Sequence, residues 1–334
     1  MNTHSNKNHD SYEISGFYNV IAREEKFTSD GEYFEVFTLY AYDKEFTVSI
    51  FDNHFVEGEC LRKNAIVYVR GQLHHNKSIF NAELKPTIIA PVYNILDVPI
   101  RTLPRSYGFS WPDSKAVDEM VEMLESFQFE ALRVAVTQIF MQGDLIERFI
   151  HFPGSQKSHH SKPGGLIRHS VDVAKLVRVM IEENDKTMPV ELKETAMVAA
   201  LLHDIGKTQT YSSTGFNEQK SRLISHDALT LELSSPGLKY LDQLCPAIAD
   251  TLRHIWTANS YGSKYGIDAK TILFDYVKSA DRLNSASDFH ASCSNNYQYQ
   301  GFKKLSNGSA LWFPLSRNVS SERADLVSME VGHE

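Results

Sequence analysis

Apolar residues recur with one period in the first third of this chain and with another in the rest. Between Glu13 and Pro91, runs such as YFEVFTLYAY, EFTVSIFD, AIVYVRGQL and SIFNAELKPTIIA alternate polar and apolar positions and are rich in Val, Ile, Phe, Tyr and Thr. Alternation sends successive side chains to opposite faces, which is the signature of strands. From Ala116 onward the apolar positions fall three and four residues apart, in 116–127, 130–141, 166–181, 192–202 and 248–256. That spacing builds one apolar stripe along a helix. Pro99, Pro104, Pro112 and Gly108 lie between the two regimes and interrupt both kinds of element. The chain therefore reads as an all-β part followed by an all-α part.

The expected organisation is a disordered N-terminus at 1–12, a β-barrel at 13–92, a connecting segment at 93–112, a helical domain at 113–290 and a C-terminal extension at 291–334 that is loose or irregularly docked. About five short strands suit a small closed barrel of the OB kind, and a sandwich fragment would produce a similar pattern. With 334 residues the chain has room for two cores. It has no apolar run near the roughly 20 residues that span a bilayer, and its polar start, MNTHSNKNHD, lacks the features of a secretory signal. A cytoplasmic protein without a membrane partner is the expectation. Cys60, Cys245 and Cys293 are scattered and odd in number, which supports neither a disulfide framework nor a cysteine zinc site. A net charge of -8 argues against a broad basic surface but leaves a local polyanion groove open.

The chemistry gathers at AALLHDIGK, 199–207, where an apolar helix ends in His203 and Asp204. Adjacent side chains lie about 100° apart around a helix and can both reach an ion off its end. Divalent metals need four to six ligands, so other helices must contribute. His169 in PGGLIRHSVDVA and Asp281 in LFDYVKSADRLN each interrupt an apolar helix face. A buried polar group is costly without a partner, and a metal would be one.

His169, then His203 and Asp204, then Asp281 resembles the H...HD...D pattern of the HD-domain metal-dependent phosphohydrolases. His226 in RLISHDAL and His254 in LRHIWTAN fall where HD-superfamily members with two metal ions carry further ligands. The resemblance implies a binuclear site in which Asp204 bridges, His169, His203 and Asp281 complete one position, and His226 and His254 complete the other. It implies manganese first, with iron, cobalt, nickel or zinc also suited to mixed nitrogen and oxygen ligation. Lys207, one turn past His203, and Arg282, next to Asp281, would hold phosphate.

Before His169 the chain reads FPGSQKSHHSKPGGLIRHS, a His-His pair and a Gly-Gly ahead of a ligand-bearing helix. This suggests a loop arching over the metals, with His159 and His160 placed to act on substrate. The HH...PGGL stretch resembles TraI-type relaxases, whereas a barrel followed by an HD domain resembles the YhaM-type OB-HD 3'-to-5' exoribonucleases over most of the chain. The second resemblance implies a 3'-to-5' exonuclease acting on single-stranded RNA or DNA; the first implies a DNA-processing nuclease, and a small-nucleotide phosphohydrolase uses the same ligands. Barrel candidates for nucleic-acid contact are Tyr33, Phe37, Arg70 and Lys77. Residues 1–92 carry nine Lys or Arg against thirteen Asp or Glu, a balance that leaves oligomerisation open as the role of the barrel.

Overall fold

The computed structural model describes residues 11–41, 44–50, 65–75, 82–92, 98–104, 111–155, 160–212, 215–259, 266–294, 301–304 and 310–313. Five strands come first: β1 (Ser11–Phe27), β2 (Tyr33–Ala41), β3 (Lys44–Ile50), β4 (Ile66–His75) and β5 (Ala82–Pro91). The long β1 serves two neighbours. Its first half pairs with β4 and its second half with β2, and its register shifts between Val20 and Ala22. A shift of this kind adds a residue and bends the strand. With β3 parallel to β5 and β5 antiparallel to β4, the strands close into a barrel in the order β1-β2-β3-β5-β4. Alternation places Val20, Phe37, Leu39, Val48, Val67 and Val69 inside.

Phe37 corrects one expectation from the sequence. It is wholly buried in the barrel core, so it has no surface to offer a nucleic acid. Its neighbour on the same strand, Tyr33, is exposed; it packs edge-on to Phe27 and donates its hydroxyl to Glu35 at 2.8 Å. Arg70 is exposed and paired with Glu13 at 2.7 Å. Lys77 lies outside the described residues.

The connecting segment does not hang free. Val98, Ile100 and Leu103 are buried in the core of the helical domain, against which Phe17, Ile66 and Val92 of the barrel side also pack. Asn19 of β1 donates to the Thr102 carbonyl across this junction. The helices are α1 (Ser114–Glu125), α2 (Glu130–Phe140), α3 (Leu145–His151), α4 (Gly165–Asn184), α5 (Val190–Leu202), α6 (Glu218–Leu223), α7 (His226–Leu244), α8 (Pro246–Thr257) and α9 (Ile272–Ser294). A short hairpin, β6 (Tyr211–Ser212) and β7 (Gly215–Phe216), follows α5, and a second, β8 (Gly301–Lys304) and β9 (Ala310–Phe313), follows α9. The second hairpin lies in the segment expected to be loose, and its Phe313 is buried against His290, ring centroids 4.7 Å apart. None of the helices among the described residues is long and apolar enough to cross a membrane.

Helix α5 is the central element, packed against α4, α8 and α9. Every residue from Glu194 to Leu202 is buried, which suits a helix apolar nearly all round. Its one buried carboxylate, Glu194, accepts the backbone N–H groups of Gln128 and Phe129 at 2.8 and 2.9 Å. These are orphan donors at the start of α2, so α5 caps its neighbour from a distance.

Helix α4 is fixed by Arg168, which bonds Asp113 with two nitrogens at 2.7 and 2.8 Å and reaches Glu119 at 2.8 Å and Asp172 at 3.2 Å. This fork holds the Asp113 carboxyl below its usual range, helped by the Ala116 N–H at the cap of α1. A depressed carboxyl stabilises the fold above its unfolded pKa of about 3.9, and that contribution is lost as pH falls through the folded value. Arg168→Met is therefore expected to lower stability at pH 7 by about 2 kcal/mol, discounted for partial exposure. The gap between wild type and variant should narrow below about pH 4, which thermal melts across pH will check.

Candidate metal centre

Three helices converge on one point. Helix α4 brings His169, one turn in from its start; α5 ends at His203, with Asp204 beyond it leading into a 3-10 turn, Ile205–Gln209; and α9 brings Asp281. Nε2 of His169 lies 3.3 Å from Nε2 of His203, 3.2 Å from Oδ1 of Asp281 and 3.6 Å from Oδ2 of Asp204. His203 Nε2 lies 3.3 Å from the same Asp204 oxygen and 3.7 Å from Asp281.

These separations fit a cation. With bonds of about 2.1 Å, neighbouring ligand atoms stand about 3.0 Å apart in an octahedron and about 3.4 Å apart in a tetrahedron. The proton positions fit as well. His203 Nδ1 is 2.7 Å from the Ala200 carbonyl, which can only accept, so the hydrogen of the neutral ring belongs on Nδ1. His169 Nδ1 is likewise fixed by Asn284 Oδ1 at 2.8 Å. Both Nε2 lone pairs are thereby turned into the cluster, an arrangement typical of metal-bound histidines. Among the described residues, His169, His203 and Asp281 form a metal-competent group.

The electrostatics describe what a cation would replace. Burial works against the charged His203 ring, but Asp204 and Asp281 outweigh it and hold its pKa up at about 10. Burial also works against the Asp204 carboxylate, yet the charges of His203 and Lys207 hold it well below the usual range, and His169 and His203 do the same for Asp281. A cluster this acidic retains a proton on imidazole, and a divalent ion would take that proton's place.

Asp204 sits between two sets of imidazoles. Its Oδ2 faces His169 and His203 and receives the Lys207 ammonium, while its Oδ1 lies 3.6 Å from Nε2 of His226. His226 is the first residue of α7, 46% exposed at its side chain, and is also 3.4 Å from Asp227. Gly206 makes this approach possible: a Cβ there would stand 2.1 Å from the His226 carbonyl and 2.7 Å from the Thr230 nitrogen. The Thr230 hydroxyl stitches the contact, accepting from the Gly206 N–H and donating to the His203 carbonyl, each at 3.1 Å.

The structure thus gathers His169, His203, Asp204, Asp281 and His226, with Lys207 beside them. His254 stays outside: its Nε2 lone pair takes the Lys270 N–H at 2.9 Å, and among the described residues nothing joins it to the other five. Arg282 is exposed on α9, and no ion pair or hydrogen bond ties it to the cluster among the described residues. His159 lies outside the described residues. His160 lines a separate cavity and is tied to α9, its ring bonded to Asn284 at 3.0 Å and its N–H to Asp288 at 2.9 Å. Its φ of 52° and its carbonyl, which a Cβ on Gly165 would strike at 2.0 Å, press this loop onto the start of α4.

Asn284 was not singled out in the sequence, although it lies three residues beyond Asp281 and four before Asp288 on one helical face. One amide oxygen serves both His169 and His160. Asn284→Leu is expected to weaken divalent metal binding about 10- to 100-fold, the usual effect of removing a partner that orients a ligand. Metal titration of the purified variant will check it.

Residues 166–286 match the HD domain family. The matched span begins with α4 and ends within α9, so it contains every residue of the cluster. The match covers part of the helical domain alone. No curated protein sequence matches this chain. Among solved structures, Entamoeba histolytica asparaginyl-tRNA synthetase in complex with asparaginyl-adenylate is similar at 9% identity with a TM-score of 0.20, covering 52% of this chain. This chain spans 33% of the synthetase chain, and a likeness that weak carries no argument.

Proposed function

We propose that this protein is a metal-dependent phosphodiesterase that shortens single-stranded nucleic acid from its 3' end, with RNA its better substrate. The observation that carries the reading is the Asp204 carboxylate, which turns one oxygen to His169 and His203 and the other to His226. A carboxylate so placed would be shared by two ions: His169, His203, Asp204 and Asp281 would hold one, and Asp204 with His226 the other. Manganese is the proposed metal. When bound, such ions supply Lewis acidity toward a phosphate oxygen and make water easier to deprotonate. Lys207, already drawn to Asp204, adds a positive charge where a phosphate would arrive.

The barrel order β1-β2-β3-β5-β4, with β3 parallel to β5, supports an OB-like reading of the first domain. In this reading the barrel guides the strand, with Tyr33 as an exposed stacking surface. One observation favours a second reading. Among the described residues, Arg23, Lys26 and Arg70 of the barrel are each paired with a glutamate, which suits a small nucleotide better than a polymer.

The test incubates the protein and manganese with 5'-labelled single-stranded RNA, the matching DNA and a supercoiled circle. A ladder of shortening products retaining the 5' label is expected, faster on RNA. Nicking of the circle while linear strands survive would favour a relaxase-like nuclease, and turnover of mononucleotides alone would favour the second reading. Failure to cleave any phosphoester with metal bound would overturn the phosphohydrolase reading itself.

A further inference from the structure

A cavity of about 350 Å³ opens directly beside the cluster. Lys207 and His226, which approach opposite oxygens of Asp204, are among the residues that line it. Tyr211, Phe216 and Ile224 also line it and supply aromatic and apolar surface. Tyr211 and Phe216 face each other across the β6–β7 hairpin with centroids 5.1 Å apart, and Phe152 backs Tyr211 at 5.8 Å. The rings are therefore held by one another, and Ile224 remains 39% exposed at the rim.

We propose that this cavity is the subsite for the base of a single nucleotide whose phosphate rests at the cluster around Asp204. The inference builds on the phosphohydrolase reading and narrows its substrate. Three features carry it. A lining that combines positive charge with aromatic rings matches the two parts of a nucleotide, with phosphate near Lys207 and a base on the Tyr211 and Phe216 rings. The volume lies at the small end of ligand pockets, which run from about 300 to 1,000 Å³, and so holds one nucleotide rather than a run of stacked bases. The hydroxyls of Thr210 and Ser221, which also line it, already donate to the carbonyls of Lys207 and Glu218 at 2.9 Å each. Recognition consequently rests on ring faces more than on base edges, and all bases should be accepted, purines somewhat more tightly because they stack over a larger area.

The test is calorimetric titration of the full chain with adenosine 5'-monophosphate, uridine 5'-monophosphate, ribose 5-phosphate and octyl phosphate, in chelator and again with manganese. Adenosine monophosphate is expected to bind about tenfold more tightly than ribose 5-phosphate in both conditions, about 1.4 kcal/mol and at the low end of base stacking on an aromatic ring. Uridine monophosphate should fall between them. Phe216→Leu should remove most of that preference while leaving the affinity for ribose 5-phosphate unchanged, and Tyr211→Leu should do the same if it melts like wild type. Equal binding of adenosine monophosphate and ribose 5-phosphate, a preference that survives Phe216→Leu, or octyl phosphate binding as tightly as the nucleotide would each overturn the assignment. A base preference in a protein that cleaves no phosphoester would sink the enzymatic reading and leave the subsite standing. Cleavage without base preference would do the reverse.

Discussion

Asp204→Asn is expected to leave the helices in place and to reduce metal-dependent phosphoester hydrolysis by at least about a hundredfold, the scale on which removal of one preorganised charge acts. The amide keeps the volume of the carboxylate but loses the charge that faces His169 and His203 on one side and His226 on the other. Metal titration should show the loss directly. The variant should also differ in chelator, because Asp204 is the leading support of the charged His203 ring. In the wild type, a histidine pKa raised from about 6.5 to about 10 stabilises the fold fully below pH 6.5, and that contribution fades as pH rises through 10. Thermal melts in chelator should therefore fall between pH 6.5 and 10 for the wild type, and the fall should be shallower for Asp204→Asn.

Gly206→Ala is expected to damage both stability and activity. Its Cβ would lie 2.1 Å from the His226 carbonyl and 2.9 Å from the Thr230 hydroxyl, so α7 must move away from the end of α5. Overpacking against backbone costs about 1–3 kcal/mol, and here it also parts the hydroxyl stitch through Thr230. A displacement of about 1 Å at His226 is enough to lower turnover on the order of a hundredfold. Thr230→Val separates the two effects: it removes the stitch without adding volume, so it should cost about 1–3 kcal/mol through the unpaired Gly206 N–H while losing less activity than Gly206→Ala. If Gly206→Ala turned over like wild type, the coupling of α7 to the metal centre would be wrong.

Much of this arrangement is legible in the sequence because two periods are. Alternation puts Tyr33, Phe37 and Leu39 on one face of β2, yet Phe37 and Leu39 are buried while Tyr33, the first residue of the strand, is exposed, so a list of aromatics on one strand does not say which of them a ligand can meet. The ligands on α4, α5 and α9 are legible because each polar residue breaks an apolar face at a helix position that must be satisfied. His254 shows the limit. Its place in the order suits a metal ligand, but order does not fix which way α8 is turned, and its ring meets the Lys270 N–H instead. Helix α7 shows another: it runs through Pro236 and Gly237, residues disfavoured inside helices, and Gly237 is where α7 closes on α2, with a Cβ there falling 2.5 Å from the Ala135 carbonyl. Breaker residues carry a local signal; the close approach they serve is tertiary.

The burial of α5 on every side also has a meaning in time. Amides in a helix with no solvent-facing stripe exchange with deuterium only through openings close to global unfolding, whereas the first turn of a helix frays on its own. His203 ends the former kind of helix, and His226 begins α7 at a half-exposed position. The two sides of the Asp204 carboxylate therefore run on different clocks. The deep side is expected to hold until the protein unfolds, and the half-exposed side to open more readily, a difference that amide exchange will read.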